Sequence, residues 1–287
     1  MTATQARERL LNLYPAHAIR SAWTLGNVTK ERAVEELAKT QSTADVSNFA
    51  FENISLTKQH VYLLEPSPAF SMSALPTVTI DDGPTLQHGE RSEARFFYLP
   101  DLRFEVVFLD SLDRQYIDFK WPILIDIRRD LLQVKFTTIE RDLRTLFHGE
   151  RVTVSRRSVD EKSILKSIED QFRASSHRLR ALDINKGIKA LWAQDYIDSQ
   201  EARWKKSRST ANEVMDERFF LKRDLPEMYD AVRRAPILKA QFEFMKDREQ
   251  FVPHFVVEAN DGVLRFPLYG NRQESSLNVI AKILELN

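Results

Sequence analysis

Acidic and basic residues on two neighbouring predicted strands have types and spacings that suit metal-dependent hydrolysis. Asp118 and Lys120 stand two residues apart in an alternation of apolar and polar residues, so both side chains would point to one face of a strand. The preceding strand carries Glu105 and leads into Asp110. Carboxylates at these positions could bind Mg²⁺ while the lysine orients an attacking water. Glu105, Asp110, Asp118 and Lys120 therefore form one candidate catalytic set.

The tripeptide Asp-Phe-Lys at 118–120 resembles the D/E-x-K motif of the PD-(D/E)xK nucleases, and Pro100 with Asp101 supplies a nominal PD. The resemblance covers about twenty residues and implies Mg²⁺-dependent cleavage of nucleic acid. The chain departs from the family's pattern in two places. Val107 occupies the usual position of the first-strand acid, and residues 121–123 lead into another strand where the family has a helix. The alternative interpretation is the solvent-exposed face of an amphipathic strand.

Other catalytic and cofactor motifs are missing from the sequence. It has no glycine-rich phosphate-binding loop and no GxSxG nucleophile motif. It has no cysteine, which excludes disulfides, zinc fingers and thiol nucleophiles. The six histidines are dispersed, with no metal-binding pair: His17, His60, His88, His148, His177 and His254. Beyond the Mg²⁺ alternative, the sequence predicts no metal and no cofactor.

Positive charge is concentrated in one part of a chain that is neutral overall. Residues 151–210 contain 14 Lys and Arg and 8 Asp and Glu, a net charge of +6. Lys162, Lys166 and Arg173 are spaced by four and seven residues, so they share one face of a predicted helix. Trp204 lies among cations and could stack on a base. Because phosphate contacts require such local positive charge, the segment is predicted to contact nucleic acid or an acidic partner.

The alternative for this segment is an ordinary solvated surface, in which cations near a helix C-terminus complement the helix dipole. The residues predicted to bind the nucleic acid or acidic partner are Arg156, Arg157, Lys162, Lys166, Arg173, Arg178, Arg180, Arg203, Trp204, Lys205, Lys206 and Arg208.

Residues 95–155 are predicted to form a central antiparallel β-meander that helices cover. Apolar and charged residues alternate there with period two, the pattern of strands with one wet face. Short polar breaks near Asp110 and Arg129 suit hairpins. The predicted strands are Arg103–Leu109, Gln115–Trp121, Ile123–Ile127 and Leu132–Ile139, with a further strand at Val152–Ser155.

The residues before the meander are predicted to form a helical module and a linker. The module, residues 1–65, is the size of an adaptor, and the alternative is that its helices simply cover the sheet. Residues 66–94 are rich in proline and read as a linker. The predicted helices are Ala3–Leu13, Ala16–Leu25, one capped by Thr29, Val46–Phe51 capped by Asp45, and Lys58–Leu64 capped by Thr57.

The rest of the body, within 95–287, is predicted to be helical over 156–235 and to end in a β-hairpin and a helix over 236–287. Ser158 and Glu161 fit a capping box, and Asp261-Gly262 is a strong hairpin turn. The predicted helices are Val159–Phe172, Lys186–Lys206, Glu213–Leu221, Pro226–Arg234 and Ser276–Leu286. The predicted strands are Ile237–Met245, Phe251–Glu258 and Val263–Tyr269.

Together these features predict an α+β protein with a small N-terminal helical unit. The leading functional hypothesis is a non-enzymatic binding protein, a subunit of a larger assembly, that contacts nucleic acid or an acidic partner through its basic segment. The alternatives are the Mg²⁺-dependent nuclease and a purely structural protein–protein interaction subunit that self-associates. The N-terminus has charges where a signal peptide needs an apolar run, and no stretch is apolar enough to span a membrane. We therefore expect a cytoplasmic location and no membrane contact.

Overall fold

A computed structural model of the chain describes residues 1–71, 78–81, 83–90, 92–139, 146–147, 150–205, 210–214 and 219–287. The chain divides into two compact units, of which the first contains residues 1–57 and 66–179 and the second contains residues 58–65 and 180–287. Both units contain helices and antiparallel strands, which confirms the α+β class. The predicted linker, 66–94, belongs to the first unit, and one division between the units falls at its start, between residues 65 and 66. None of the described helices is both long and apolar enough to cross a membrane.

Four N-terminal helices form largely where the sequence predicts them. Thr2 and Ser42 each make a capping box, and Thr29 accepts a hydrogen bond from the backbone N–H of Arg32. Asp45 is therefore the third residue of its helix, which begins earlier than predicted because Ser42 is the better-placed cap. The helices are α1 (Ala3–Asn12), α2 (Ala16–Ala22), α3 (Lys30–Thr40) and α4 (Thr43–Glu52).

The predicted helix Lys58–Leu64 is wrong, because this segment is strand β1 (Gln59–Ser67). Buried and less buried residues alternate along the segment, with Val61 and Leu63 fully buried. This two-residue period of a strand outweighs the weak helical pattern of the sequence. Thr57 does not cap a helix there. Its hydroxyl donates to the backbone oxygen of Ile54 and closes a short 3-10 turn.

The strands of the first unit lie in two groups. The four predicted meander strands are recovered to within two residues at each end, but they pair as two hairpins in separate sheets. Pro122 stands between the hairpins and has no N–H with which to continue the ladder. The three-stranded sheet has the order β5-β4-β8, and the four-stranded array has the order β7-β6-β3-β2. The bounds are β2 (Leu86–Gly89), β3 (Glu93–Tyr98), β4 (Asp101–Phe108), β5 (Arg114–Lys120), β6 (Ile123–Arg128), β7 (Leu131–Thr137) and β8 (Val152–Arg157).

The first unit also contains α5 (Glu161–Ala174), which buries Ile164, Ile168 and Phe172 as predicted. Its cap is Asp160, and the predicted Ser158 cap is wrong. Ser158 is still paired with β4, because its N–H donates to the backbone oxygen of Arg103 and its hydroxyl accepts from the Arg103 N–H. The helix can therefore begin only after Ser158.

The second unit is built on six antiparallel strands in the order β11-β10-β12-β13-β14-β1. Val61 of β1 lies opposite Leu264 of β14. The predicted turn at Gly262 is confirmed, with φ of +62°. A side chain there would also collide with the backbone oxygens of Leu63 and Leu182. The strands are β9 (Arg178–Ala181), which spans the division between units, β10 (Ile197–Lys205), β11 (Thr210–Val214), β12 (Ile237–Phe244), β13 (His254–Glu258) and β14 (Val263–Phe266).

The long helix predicted at Lys186–Lys206 is wrong beyond Ala193. Helix α6 (Asn185–Ala193) ends where Asp195 adopts φ of +60°, and the N–H of Tyr196 donates back to the oxygen of Leu191. This is a Schellman termination, with aspartate in the position usually taken by glycine. The chain then extends as β10, so the predicted helical segment 156–235 contains three described strands, β9, β10 and β11, as well as the end of β8.

The remaining helices follow the sequence more closely. The predicted helix Glu213–Leu221 is wrong at Glu213, which lies on β11, and residues 215–218 lie outside the described part of the chain. Pro226 begins its helix, as predicted. The helices are α7 (Leu221–Asp224), α8 (Pro226–Arg233) and α9 (Glu274–Leu286).

Candidate functional site

The proposed catalytic residues Asp118 and Lys120 lie on one face of β5, as their spacing predicts, but each is in an ion pair. The Asp118 carboxylate accepts from Nε and Nη2 of Arg103 at 2.7 and 3.2 Å. Lys120 lies 3.0 Å from Asp101. These pairs join directly opposed positions of β4 and β5. We call this the ion-pair face; it consists of Asp101, Arg103, Glu105, Arg114, Tyr116, Asp118, Lys120 and Arg156.

The other two predicted acids also face cations. Glu105 accepts from Nη1 of Arg114 at 2.8 Å, and Asp110 lies 3.6 Å from Arg151 in the β4–β5 turn region. The hydrogen bonds from Arg103 hold the pKa of Asp118 below its ordinary value. Among the described residues, no group of three or more His, Asp or Glu side chains is arranged to hold a metal ion. The arrangement favours a solvent-exposed face whose charges neutralise one another.

An exposed aromatic side chain stands on the same face. Tyr116 is 63% exposed and lies directly opposite Glu105 on β4. Arg156 of β8 lies opposite Glu105 on its other side and is also exposed. The exposure of Tyr116 leaves a face of its aromatic ring open to solvent among charged residues. Sequence reasoning missed this tyrosine, although the alternation of residues 115–120 places it on the wet face.

The basic residues of the first unit continue from β8 onto α5. Lys162 and Lys166 are exposed on the helix, one turn apart. Arg173 is exposed too but lies 3.1 Å from Asp170, and Asp160 accepts hydrogen bonds from Ser163. Arg157 is partly buried, and Arg178 is exposed at the start of β9.

The rest of the predicted basic set belongs to the second unit or lies outside the described residues. Arg203 and Lys205 are exposed on β10, and Lys239 is opposite Arg203 on β12. Trp204 is only 3% exposed, because alternate residues of β10 face the core. We therefore remove Trp204 as a base-stacking candidate. Arg180 is exposed in the second unit, whereas Lys206 and Arg208 lie outside the described part of the chain.

A cleft of about 640 Å³ opens in the first unit between the beginnings of α1, α4 and β4 and the end of β5. Its volume is within the range of small-molecule sites. Apolar side chains form part of the wall, including Ala6, Leu10, Val46 and Leu99. The charged residues that line the cleft are Arg7, Asp101, Arg103, Asp118 and Lys120. Of these, sequence reasoning singled out Asp118 and Lys120 as catalytic candidates and Asp101 as part of a nominal PD, but it had no signal for a cavity.

A third feature is a buried charged cluster in the four-stranded array. Asp126 is 5% and Lys135 3% exposed, and Lys135 Nζ lies 2.5 Å from the Asp126 carboxylate. Arg95 donates to the same carboxylate at 2.9 Å. Burial opposes the ionisation of Asp126, yet the two cations outweigh it and hold its pKa below the ordinary value. The side chains satisfy one another.

These three features, the ion-pair face with α5, the cleft and the buried cluster, are places where chemistry-bearing side chains meet in the described part of the first unit. Comparison of the chain with protein-family models, with curated proteins and with solved structures gave no match.

Proposed function

We propose that this chain is a non-enzymatic protein that binds single-stranded nucleic acid through the first unit. The proposed surface joins Tyr116 and Arg156 on the ion-pair face to Lys162 and Lys166 on α5. The observation that carries the proposal is the 63% exposed ring of Tyr116 on a strand face that also bears cations. Exposed aromatic rings on sheets stack on unpaired bases, and neighbouring cations contact the phosphates.

The charge distribution supports this proposal. Among the described residues, no ion pair involves Arg156, Lys162 or Lys166. Glu105 is paired with Arg114 and Asp170 with Arg173. Asp160 keeps its charge near Lys162, because its hydrogen bonds from Ser163 are to a neutral group. The positive charges of Arg156 and Lys166 therefore support contact with a partner, whereas Lys162 shares its charge with Asp160.

The chain connection brings these cations into one region. β8 ends at Arg157 and α5 begins at Glu161, so only three residues separate the strand from the helix. Ser158 fixes the connection to β4 through two hydrogen bonds with Arg103. The first turn of α5 therefore lies beside the edge of the ion-pair face. A strand of nucleic acid that stacks on Tyr116 would have cations along the rest of its path.

The first test is the affinity of Tyr116→Ala for a labelled single-stranded oligonucleotide, measured by fluorescence anisotropy at low salt. Loss of one stacking ring should cost about 1–3 kcal/mol, or roughly 5- to 150-fold in Kd. Phe219→Ala is the matched control, because Phe219 is an exposed aromatic residue of the second unit. Equal affinities of Tyr116→Ala and the unmodified chain would contradict the proposal.

A second test addresses the phosphate contacts. The triple variant Arg156→Glu, Lys162→Glu, Lys166→Glu should weaken binding and reduce the slope of log K against log salt by about 2, since each single-strand phosphate contact contributes about 0.7. The double variant Arg203→Glu, Lys205→Glu changes two exposed cations of the second unit and should leave the slope as it was. If the second-unit variant alone reduces the slope, the surface is on β10 instead. Mg²⁺-dependent cleavage that Asp118→Ala abolishes would favour the nuclease alternative.

A further inference from the structure

We infer that the cleft of the first unit binds a small organic carboxylate with an apolar body, and that Arg7 holds the carboxylate. The cleft wall shares Asp101, Arg103, Asp118 and Lys120 with the ion-pair face, but the inference depends on Arg7 of α1, which is not part of that face or of the proposed nucleic-acid surface. It depends on the cavity, on the charge state of its wall and on the donors that Arg7 has left to offer.

The cavity has the size and the lining of a small-molecule site. Its volume is about 640 Å³, and ligand pockets typically combine an apolar wall with a few charged or polar groups. Leu10 and Val46 are buried behind the wall, so the apolar surface open to a ligand comes from partly exposed side chains such as Leu99 and Ala6. Burial of apolar ligand surface against these side chains would supply most of the affinity.

Arg7 is fixed in the wall by neutral partners. Its Nε and Nη2 donate to the backbone oxygen of Ala38 at 2.9 and 2.8 Å, Nη2 also donates to the hydroxyl of Thr4, and Nη1 donates to the hydroxyl of Thr43. An arginine has five N–H donors, so one donor remains, on Nη1 beside Thr43. One remaining N–H can donate to one oxygen of a ligand carboxylate, whereas bidentate binding of the carboxylate would need two.

The charge of Arg7 also calls for an anion. The other charged side chains of the wall form two ion pairs, Arg103 with Asp118 and Lys120 with Asp101. Arg7 is partly buried and, within the described residues, has no acidic partner. The side chains of the wall therefore carry a net charge of +1, located at Arg7, and the α-ammonium of Met1 adds a second positive charge near Asp118. A partly buried cation with neutral partners is stabilised by a counter-anion, because water screens it less than a surface charge.

The test uses isothermal titration calorimetry of the full chain with octanoate and with octanamide, its uncharged analogue. We expect octanoate to bind with a Kd below about 1 mM and octanamide to bind at least about tenfold more weakly. Thr43→Glu should weaken octanoate binding by about tenfold or more, because it places a carboxylate at the remaining donor of Arg7. The variant should fold, since an acidic residue in the first turn of α4 is favourable for the helix.

The matched control is Ala44→Glu, which adds the same charge to the same turn at an exposed position outside the cleft wall. Its affinity for octanoate should stay within about twofold of the unmodified chain. No octanoate binding at millimolar concentration, equal binding of octanoate and octanamide, or equal effects of the two glutamate variants would each overturn the inference. Oligonucleotide affinity should be the same in Thr43→Glu and Ala44→Glu, so failure of one proposal is distinguishable from failure of the other.

Discussion

The four-stranded array and the three-stranded sheet of the first unit carry the same alternation of charged and apolar residues, yet they use their charges differently. In the three-stranded sheet, the paired side chains of Arg103 and Asp118 are 60% and 24% exposed. In the array, Asp126 and Lys135 are 5% and 3% exposed. The difference arises from what lies on the charged face. Alternation shows that two faces differ, but another element of the chain decides whether the polar face meets water.

Helix α4 and the turn after it cover part of the charged face of the array. Phe51 packs against Phe97 at 5.7 Å between ring centroids, and the Arg95 guanidinium lies 5.1 Å from the centre of the Phe51 ring. Thr57 and Thr137 lie 3.2 Å apart, hydroxyl to hydroxyl. The polar face of the array is therefore partly buried inside the protein. Each charged side chain buried there needs an opposite charge as its partner.

The largest expected effect of this difference is on Asp126→Ala. Removal of the carboxylate leaves Lys135 buried without its counter-charge, which should lower the free energy of unfolding by about 3–5 kcal/mol. Urea denaturation followed by circular dichroism measures the change. The double variant Asp126→Leu, Lys135→Met removes both charges and should recover most of the loss. If the double variant is as unstable as the single one, the shape of the cluster matters more than its charge.

The acid dependence of stability should show the same contrast. The pKa of Asp126 is lower in the folded than in the unfolded chain. The resulting stabilisation is therefore complete above the unfolded pKa of about 4 and is lost as the pH falls through the folded value. Between about pH 5 and pH 2 the double variant should lose less stability than the unmodified chain. Parallel stability curves for the two proteins would show that Asp126 does not contribute to acid unfolding.

The smallest expected effect is on Asp118→Ala in the three-stranded sheet. Although Arg103 lowers the pKa of Asp118, the pair is open to water, and the free energy of unfolding should change by less than about 1 kcal/mol. The same denaturation series should show that 1 M NaCl reduces this difference further, because salt screens exposed pairs. If Asp118→Ala lowered the free energy of unfolding as much as Asp126→Ala, the ion-pair face would have to be buried as well.

The sequence predicted most of the elements of the first unit because caps and period two are local signals. Thr29, the predicted cap of α3, illustrates how a single side chain determines a helix start, and Pro226 does so in the second unit. The errors come from non-local causes. Asp195, at φ of +60°, ends α6 without the glycine that would have announced the end, and Trp204 looked exposed because its neighbours are charged. Residues of the cleft were missed because Arg7 and Asp101 are far apart in sequence and meet only through tertiary packing.

Three helices end at a residue other than glycine that has a positive φ. Thr24, Ser176 and Asp195 all have positive φ, and in each case the next residue donates its N–H back to the last turn of the helix. A non-glycine residue in that conformation carries a cost of about 1–2 kcal/mol. The sequence rule that glycine marks a helix end therefore overlooks α2, α5 and α6 for one physical reason.

The pairing of Val61 with Leu264 has a consequence for how the chain folds during synthesis. About 200 residues separate these partners, so β1 is translated long before the strand that completes its ladder in the second unit. Long-range antiparallel pairing of this kind is slow because the loop must close before the contacts repay its entropy. A ribosome-bound chain that stops before residue 263 would present β1 with this edge unpaired, open to chaperones and to pairing with other chains.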